Sequence, residues 1–359
     1  MNKLLASVRK SVLEIKPYHM ADTKYRIKLN QNESPYDLPA DLKKELLAEF
    51  GEIAWNRYPS FITVDLCKKL AAKDGVSEGM ILVGNGSNEL LQLICSIILE
   101  PGKKFMTIQP TFALYEQIAR VFGADFLQLE LEDDFSFPVK KILEMNMEED
   151  IPLQVYCTPN NPTGSILTLN EIEAILKLAS GIVVIDEAYF DFSKITSVEL
   201  LKEYPNLVIT RTFSKACGLA GFRIGYLIGS PEVVREVYKA KLPYNLDIFS
   251  EFAASKILAH PNIIQERVAD ILAQRDWLIQ ELKQIPGVMV FPTHSNFFLI
   301  STPIEPVKLF NILLEEDGIL LRNVSKNHPR LENVLRVSVG AKEENQKLVA
   351  AFKRIFEKE

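Results

Sequence analysis

The sequence predicts an α/β fold in which a mostly parallel sheet is covered by helices on both faces, joined to a smaller α+β domain. Between residues 81 and 228, short apolar segments alternate with helical segments, as is typical of strands buried on both faces. After residue 250 the alternation stops, and a long helical region precedes scattered short strands. Polar clusters follow nearly every apolar segment, at the strand ends where parallel sheets bind ligands.

The strands of the larger unit are predicted from apolar, partly β-branched runs that are bounded by turns. They cover residues 81–83, 104–108, 125–131, 153–157, 182–185, 207–209 and 223–228. Helices are predicted where apolar residues recur at helical spacing, at residues 41–50, 89–99, 112–122 and 170–179. We expect three parts, namely an N-terminal arm (1–40), a large domain (41–249) and a small C-terminal α+β domain (250–359).

Composition argues against several functional classes. The 359 residues are 47% hydrophobic, which suffices for a large core, and the net charge of −6 argues against nucleic acid as the main partner. Charged residues interrupt the first 16 positions, and no apolar run approaches the roughly 20 residues of a membrane span. The four cysteines form no C-x-x-C pair, and the four histidines are scattered. We therefore expect reduced thiols, no metal and a cytoplasmic location.

Lys215 is the candidate catalytic residue, because it stands at the turn after the apolar strand at residues 207–209. An ammonium group buried at a strand end must pair, lose its proton or react. A lysine that readily loses its charge suits an enzyme that forms an imine. We therefore predict that Lys215 is the Schiff-base lysine of an enzyme that uses pyridoxal phosphate.

Such an enzyme also needs an acid against the pyridine nitrogen, donors for the phenolate oxygen and a planar group on the ring face. Asp186 is the candidate acid, Tyr189 and Asn161 are the candidate donors, and Phe112 is the candidate stacking group. Each of these has a simpler reading when taken singly. Asp186 also suits a turn or helix cap, residues 161–164 have a common turn composition, and a lone aromatic residue is often core. Their joint occurrence at successive strand ends favours the catalytic reading.

A phosphate cradle is predicted at the start of the helix near residue 89, where unpaired backbone N–H groups and the helix dipole favour an anion. The turn before this helix lacks the third glycine of a dinucleotide fingerprint and the spacing of a nucleophile elbow. The residues predicted to form the cradle are Gly86, Ser87, Thr212, Ser214 and Arg223.

These motifs resemble the class II group of fold-type I pyridoxal-phosphate-dependent aminotransferases. The resemblance rests first on residues 161–164, on residues 186–189 and on Ser214-Lys215 followed by Arg223. More closely, the chain resembles the histidinol-phosphate aminotransferase family, and this likeness extends over nearly the whole chain. The segments that carry it are residues 16–18, 29–35, 57–59, 84–89, 212–215, 219–226 and 335–340.

The resemblance implies a ping-pong transamination through a Schiff base at Lys215. The reaction would interconvert histidinol phosphate plus 2-oxoglutarate and imidazole-acetol phosphate plus glutamate, as part of histidine biosynthesis. It also implies a homodimer with shared active sites, in which the N-terminal arm packs against the small domain and the partner subunit. Tyr58 matches a tyrosine that reaches the cofactor phosphate of the neighbouring subunit.

The resemblance also implies a set of substrate-binding residues. Arg336 matches the arginine that grips the substrate α-carboxylate, a task suited to a two-pronged guanidinium group. Arg322 matches an arginine that helps to bind the substrate phosphate, and Tyr18 matches a tyrosine that reaches across to the substrate. Asn32 and Asn161 complete the expected set.

Two departures and three alternatives stay open at this point. Phe112 stands where the family often has tyrosine, and Asn88 stands where it often has an acid. An aromatic amino-acid aminotransferase and an amino-acid-phosphate decarboxylase both fit the same fold. An alternative of another class is a non-enzymatic nucleotide- or phosphate-binding module that uses the turn at Gly86 and Ser87.

Overall fold

A computed structural model of the chain describes residues 3–15 and 23–356. Within these ranges the strands are β1 (Ile27–Leu29), β2 (Ile81–Gly84), β3 (Lys104–Gln109), β4 (Asp125–Glu130), β5 (Leu153–Cys157), β6 (Ile182–Asp186), β7 (Leu207–Thr212), β8 (Gly225–Gly229), β9 (Met289–Val290), β10 (Phe297–Ser301), β11 (Ile319–Asn323) and β12 (Val334–Ser338). The α-helices are α1 (Lys10–Leu13), α2 (Ala40–Gly51), α3 (Val64–Asp74), α4 (Ser87–Ile98), α5 (Leu114–Phe122), α6 (Val139–Glu148), α7 (Leu169–Leu178), α8 (Phe190–Ser193), α9 (Pro231–Ala240), α10 (Ile248–Leu258), α11 (Pro261–Lys283), α12 (Pro306–Asp317) and α13 (Lys342–Phe356).

The larger sheet has the strand order β2-β8-β7-β6-β5-β3-β4. Its strands are parallel except for β8, which runs antiparallel to both of its neighbours, β2 and β7. Side chains alternate between the two faces, so that Val184 of β6 enters one hydrophobic cluster while Val183 and Ile185 enter the other. Helices α4, α5 and α9 contribute to the first cluster, and α3, α6 and α7 to the second. The predicted α/β class is confirmed.

The smaller sheet has the order β1-β11-β12-β10-β9 and draws on both ends of the described chain. Strand β1 pairs in parallel with β11, with Ile27 opposite Ile319, whereas β12 is antiparallel to β10 and β11. The segment that follows β1 is thereby carried from this sheet towards the strand ends of the larger one. The division of the chain at residues 40 and 250 stays a prediction.

The start of β8 differs from the sequence-based expectation. Arg223 was expected to open this strand, but it follows a 3₁₀ turn (Ala220–Phe222) and has a φ of +53°. This left-handed conformation ends the turn and directs the guanidinium towards Ser214, to which its Nη1 donates at 3.2 Å. Helices α3, α6 and α9 were not among the predicted elements. In the described ranges, none of the helices is both long and apolar enough to span a membrane.

Candidate active site

The carboxyl ends of β5, β6 and β7 and the start of α4 meet at a pocket of about 220 Å³. This is the edge of a parallel sheet at which ligands bind. The predicted site residues that line the pocket are Asn32, Ser87, Phe112, Asn161, Asp186, Tyr189, Thr212, Ser214, Lys215, Arg223, Arg322 and Arg336. Gly86 lies next to Ser87 in the wall, Tyr58 lies elsewhere on the surface, and Tyr18 lies outside the described residues.

Lys215 lies in the turn after β7, and its Nζ donates to the backbone carbonyl of Gln31 at 2.8 Å. Its ammonium group is 5.6 Å from the centre of the Tyr189 ring. The side chain is half-buried, with protein around it and the pocket on its remaining side. This burial, together with the positive charge of Arg336, lowers the pKa of Lys215 to about 7. An amine that loses its proton near neutral pH can act both as a nucleophile and as a proton carrier.

Asp186 ends β6 and is only 3% exposed. Its Oδ2 accepts from the Tyr115 hydroxyl at 2.5 Å, and its Oδ1 accepts from the backbone N–H of Ala188 at 3.2 Å. Burial raises the pKa of Asp186 even though the bond from Tyr115 lowers it. Because both donors are neutral, a cation in the pocket would stabilise the ionised carboxylate.

A hydrogen-bonded chain of side chains connects Tyr189 with the smaller sheet. The Tyr189 hydroxyl accepts from the amide of Asn32 at 3.2 Å and from that of Asn161 at 3.3 Å. Asn161 Oδ1 in turn accepts from Arg336 at 2.5 Å, and Asn32 Oδ1 accepts from Ser338 at 2.8 Å. Burial raises the pKa of Tyr189, so its hydroxyl keeps its proton and can donate into the pocket.

The predicted cradle has the geometry of an anion site. Gly86 has a φ of +80°, and a Cβ at this position would lie 2.7 Å from Arg223 Nη2. A Cβ at Gly225 would lie 2.4 Å from the backbone nitrogen of Ser87, so β8 approaches the start of α4 only because it carries glycine there. The cradle therefore combines the N–H groups at the start of a 12-residue helix with a guanidinium group.

Two arginines from the smaller sheet complete the pocket. Arg322 of β11 and Arg336 of β12 stand directly opposite each other in the antiparallel register. Like charges in this arrangement repel, and an anion between them removes the repulsion. The lining holds four basic side chains, Lys215, Arg223, Arg322 and Arg336, against the single carboxylate of Asp186. Such a pocket selects anionic ligands.

Several lining residues were missed at the sequence level. Tyr115 was predicted only as part of a helix. It follows Phe112 by three positions, a spacing that puts both side chains on one face, and their rings meet edge to face with centres 5.6 Å apart. Asn30 and Gln31 act through backbone carbonyls, which accept from Arg336 and Lys215 and leave no side-chain signal. The other missed lining residues include Thr111, Cys157 and Asn327.

Tyr58 lies on an exposed aromatic surface and not in the pocket. Its side chain is 79% exposed and stacks on Tyr244 at 4.6 Å. Trp55 and Phe61 are also exposed. Trp55 lines the same surface depression as Tyr58 and Tyr244, and the Phe61 ring meets the Tyr244 ring edge to face at 5.7 Å. We call Trp55, Tyr58, Phe61 and Tyr244 the aromatic surface. Exposed apolar surface of this kind is typical of protein–protein contacts.

Among the described residues, no group of three or more histidine, cysteine, aspartate or glutamate side chains is arranged to hold a metal ion. Cys95, Cys157 and Cys217 are buried, Cys67 is partly so, and all four are free thiols. Cys157 lines the pocket, whereas Cys217 packs in the second hydrophobic cluster. Burial raises the pKa of both thiols and so keeps them protonated.

The chain belongs to the aminotransferase class I and II family, whose model matches residues 25–352. The family expected from the sequence motifs is thus confirmed. A relative from Chlorobaculum tepidum, named histidinol-phosphate aminotransferase, is 39% identical over 330 residues, which are 92% of this chain and 94% of the relative.

Solved structures agree on the fold. The histidinol-phosphate aminotransferase from Clostridium acetobutylicum superposes with a TM-score of 0.85 at 26% identity, covering 92% of this chain and 99% of that one. The enzyme of the same name from Sinorhizobium meliloti, solved in complex with pyridoxal-5′-phosphate, gives a TM-score of 0.86 at 24% identity, covering 93% and 92%.

Proposed function

We propose that this chain is a pyridoxal-phosphate-dependent aminotransferase that interconverts histidinol phosphate plus 2-oxoglutarate and imidazole-acetol phosphate plus glutamate. The observation that carries the proposal is the pocket itself. It brings together a lysine whose pKa is lowered to about 7, a buried carboxylate, a cradle at a helix start and two opposed arginines. The names of relatives more than 30% identical over most of the chain support the substrate.

The residues of the pocket fit this cofactor. Gly86 leaves room for the Arg223 guanidinium beside the first N–H groups of α4, and Gly225 lets β8 approach the start of that helix, because a Cβ at either position would clash with these groups. These N–H groups and Arg223 would hold the cofactor phosphate. Asp186 receives only neutral donors from Tyr115 and Ala188, and a protonated pyridine nitrogen would provide its missing cation. Phe112, held edge to face by Tyr115, offers a flat ring on the pocket wall.

When bound, pyridoxal phosphate supplies an aldehyde that captures amines and a ring that accepts the electrons left when the substrate loses a proton. Lys215 would hold the cofactor through its amine. The same amine would carry the substrate α-proton as general base and then general acid, a role that suits a pKa near 7. Tyr189 and Asn161 would donate hydrogen bonds to the cofactor, and Asn32 orients the Tyr189 hydroxyl.

Arg322 and Arg336 select the substrates. Both half-reactions involve anions, because histidinol phosphate carries a phosphate and 2-oxoglutarate carries two carboxylates. Arg336 presents a guanidinium that is already oriented by Asn161 and by the carbonyl of Asn30, at 2.5 and 2.7 Å. This prior orientation lowers the entropy cost of gripping a carboxylate. We infer that Arg322 holds the substrate phosphate.

The test is a comparison of amino donors with 2-oxoglutarate as acceptor. We expect a yellow protein with the highest kcat/KM for histidinol phosphate, well above phenylalanine and tyrosine, and no release of CO₂ from threonine phosphate. Arg322→Met should lower kcat/KM for histidinol phosphate more than for phenylalanine. If histidinol phosphate is the poorest donor, the substrate assignment is wrong, and the aromatic aminotransferase becomes the better description. CO₂ release would favour the decarboxylase instead.

We also propose that the chain forms a cytoplasmic homodimer in which the aromatic surface meets a second copy. Tyr58 is too exposed to serve its own chain's pocket, yet it matches a tyrosine that reaches a neighbouring subunit's cofactor phosphate. The chain would then depend on its partner to complete each cradle.

Mixed dimers test this sharing. Tyr58→Phe and Lys215→Ala should each lower activity. The two variants are mixed, unfolded and refolded together so that heterodimers form. In a heterodimer, one site combines Lys215 of the Tyr58→Phe subunit with Tyr58 of the Lys215→Ala subunit. Activity should therefore rise above that of either variant alone, with light scattering reporting a dimer. An absence of any such gain in a proven heterodimer would contradict a shared site.

A further inference from the structure

A cluster of buried charged side chains lies behind the pocket, on the opposite face of the larger sheet. Arg211 of β7, Glu187 at the end of β6 and Asp74 at the end of α3 have side chains exposed by only 2%, 1% and 4%. None of these three residues lines the pocket. Burying charges is costly unless they are paired in good geometry, so the geometry of this cluster decides whether it is stable.

The arrangement is two-pronged and well satisfied. Arg211 donates to Glu187 Oε2 through Nε at 3.0 Å and through Nη2 at 2.7 Å, and its Nη1 donates to Asp74 at 2.7 Å. Glu187 Oε1 also accepts from the backbone N–H and the hydroxyl of Ser197, at 2.6 and 2.8 Å. The guanidinium carbon lies 3.8 Å from the centre of the Phe190 ring. Glu187, which follows β6, and Asp74, at the end of α3, therefore hold the guanidinium from two sides.

Strand alternation connects this cluster to the site. Neighbouring residues on a strand point to opposite faces, so the residues next to Arg211 and Glu187 point towards the pocket face. These neighbours are Thr212 of the cradle and the buried acid Asp186. The arginine–glutamate bond thus crosses from β6 to β7 directly behind the two residues that must contact opposite ends of one cofactor.

We propose that Arg211 and Glu187 are positioning residues, which fix the spacing between Asp186 and the phosphate cradle from behind the sheet. This inference rests on the proposed function, because the spacing matters only if one molecule bridges both. A carboxylate at one strand end and an anion cradle at the next must match a rigid ligand to within a fraction of an ångström. A fork of charge-assisted hydrogen bonds supplies that rigidity better than apolar packing does.

The test must separate positioning from stability. Removing Arg211 alone leaves Glu187 as an uncompensated buried charge, so a loss of function would be ambiguous. The double variant Arg211→Met with Glu187→Gln removes both charges at once. Asp74 keeps its bonds from Tyr226 at 2.9 Å and from Lys73 at 3.0 Å, and the new amide oxygen can still accept from Ser197.

A matched control is Ile175→Ala in α7, because Ile175 is fully buried in the same hydrophobic layer but far from the strand ends in sequence. We expect the double variant and the control to fold, as judged by circular dichroism and thermal unfolding. The cofactor-free double variant should bind pyridoxal phosphate about tenfold to a hundredfold more weakly than the wild type, the range seen when residues that orient metal ligands are replaced. The control should bind it as the wild type does. Arg211→Lys, which keeps the charge but not the fork, should lie between them.

Fluorescence titration of the cofactor-free proteins gives the affinities, and the pH titration of the visible band gives a second readout. If the double variant folds and binds pyridoxal phosphate as tightly as the wild type, with an unchanged titration, the positioning role is refuted and the cluster is structural. If the double variant does not fold, Arg211→Lys takes its place, and a pyridoxal-phosphate affinity equal to that of the control would refute the positioning role. A wild-type chain that binds no pyridoxal phosphate would instead refute the proposed function.

Discussion

Replacing Lys215 with methionine should stabilise the cofactor-free chain at neutral and acidic pH. The side chains are similar in length, but methionine has no charge to desolvate. The folded protein holds the Lys215 amine at a pKa of about 7, against its ordinary value of 10.5. The cause is burial first and the charge of Arg336 second. The native state therefore disfavours the protonated amine relative to the unfolded chain.

The size and sign of the effect follow from proton linkage. At 1.36 kcal/mol per pKa unit, the difference corresponds to an upper limit of about 5 kcal/mol. Two effects reduce the expected stabilisation by Lys215→Met to about 2–3 kcal/mol. The amine is partly exposed to solvent on the side of the pocket, and the variant loses the hydrogen bond to the Gln31 carbonyl. Below pH 7 the amine is protonated in both the folded and the unfolded state, so burying its charge lowers the free energy of unfolding by the full amount. Between pH 7 and 10.5 only the unfolded amine is protonated, so the cost falls as pH rises.

Urea unfolding of both cofactor-free proteins at several pH values between 6 and 10 measures this difference. We expect Lys215→Met to be more stable at pH 6–7 and the gap to close towards pH 10. Other titrating groups are common to both proteins and cancel in the comparison. A gap that is absent at pH 6, or that does not change with pH, would show that the amine is not desolvated and would remove the physical basis for its reactivity.

Four further substitutions probe the other parts of the site. Asp186→Asn should weaken pyridoxal-phosphate binding, seen by fluorescence titration, and should lower kcat by more than tenfold, because a neutral amide cannot keep the ring nitrogen protonated. Tyr115→Phe removes a hydrogen bond to a buried carboxylate, for which about 1.5–3 kcal/mol is expected, and should raise the pKa of Asp186 as followed by NMR in the cofactor-free chain. Gly86→Ala forces a Cβ within 2.7 Å of Arg223 Nη2 at a φ of +80°, so we expect cofactor affinity to fall about tenfold while urea unfolding shows a loss near 1 kcal/mol. Arg336→Lys keeps the charge but loses the fork, and steady-state kinetics should show KM for 2-oxoglutarate rising about tenfold with a smaller change in kcat; an unchanged KM would exclude Arg336 from carboxylate binding.

Much of the fold was predictable because buried parallel strands have an unambiguous composition. The runs at residues 182–185 and 207–209 are wholly apolar, and the structure places both in the centre of the larger sheet. Strand direction was less accessible, because the apolar residues of β8 do not reveal that it runs antiparallel to β7. Helices α3 and α9 were missed although their sequences carry helical signals. Leu66 and Leu70 of α3 are buried four positions apart, and α9 follows the Ser230 cap and buries Val234 and Val237.

The candidate site was predictable where function requires a particular side chain at a strand end. Lys215, Asp186 and Tyr189 were predicted in this way, and the structure brings them to one pocket, while their roles stay predictions. Residues that act through their backbone, such as Gln31, have no such signal. The positions of Tyr115 and Arg211 were not predictable either, because only the tertiary structure shows which face of a helix or strand meets the pocket. Tyr115 lines the pocket, whereas Arg211 lies behind it.

Strand β1 has a consequence for the order in which the protein becomes competent during synthesis. Its pairing partner, β11, lies 292 positions later, with Ile27 opposite Ile319. The segment immediately after β1 supplies the carbonyl that contacts Lys215 and the amide that orients Tyr189. A ribosome-bound chain that has not yet exposed residues 319–321 therefore has Lys215 but lacks the strand that supports the segment covering it. Capture of the cofactor in its final geometry must therefore wait until residues 319–321 have left the exit tunnel.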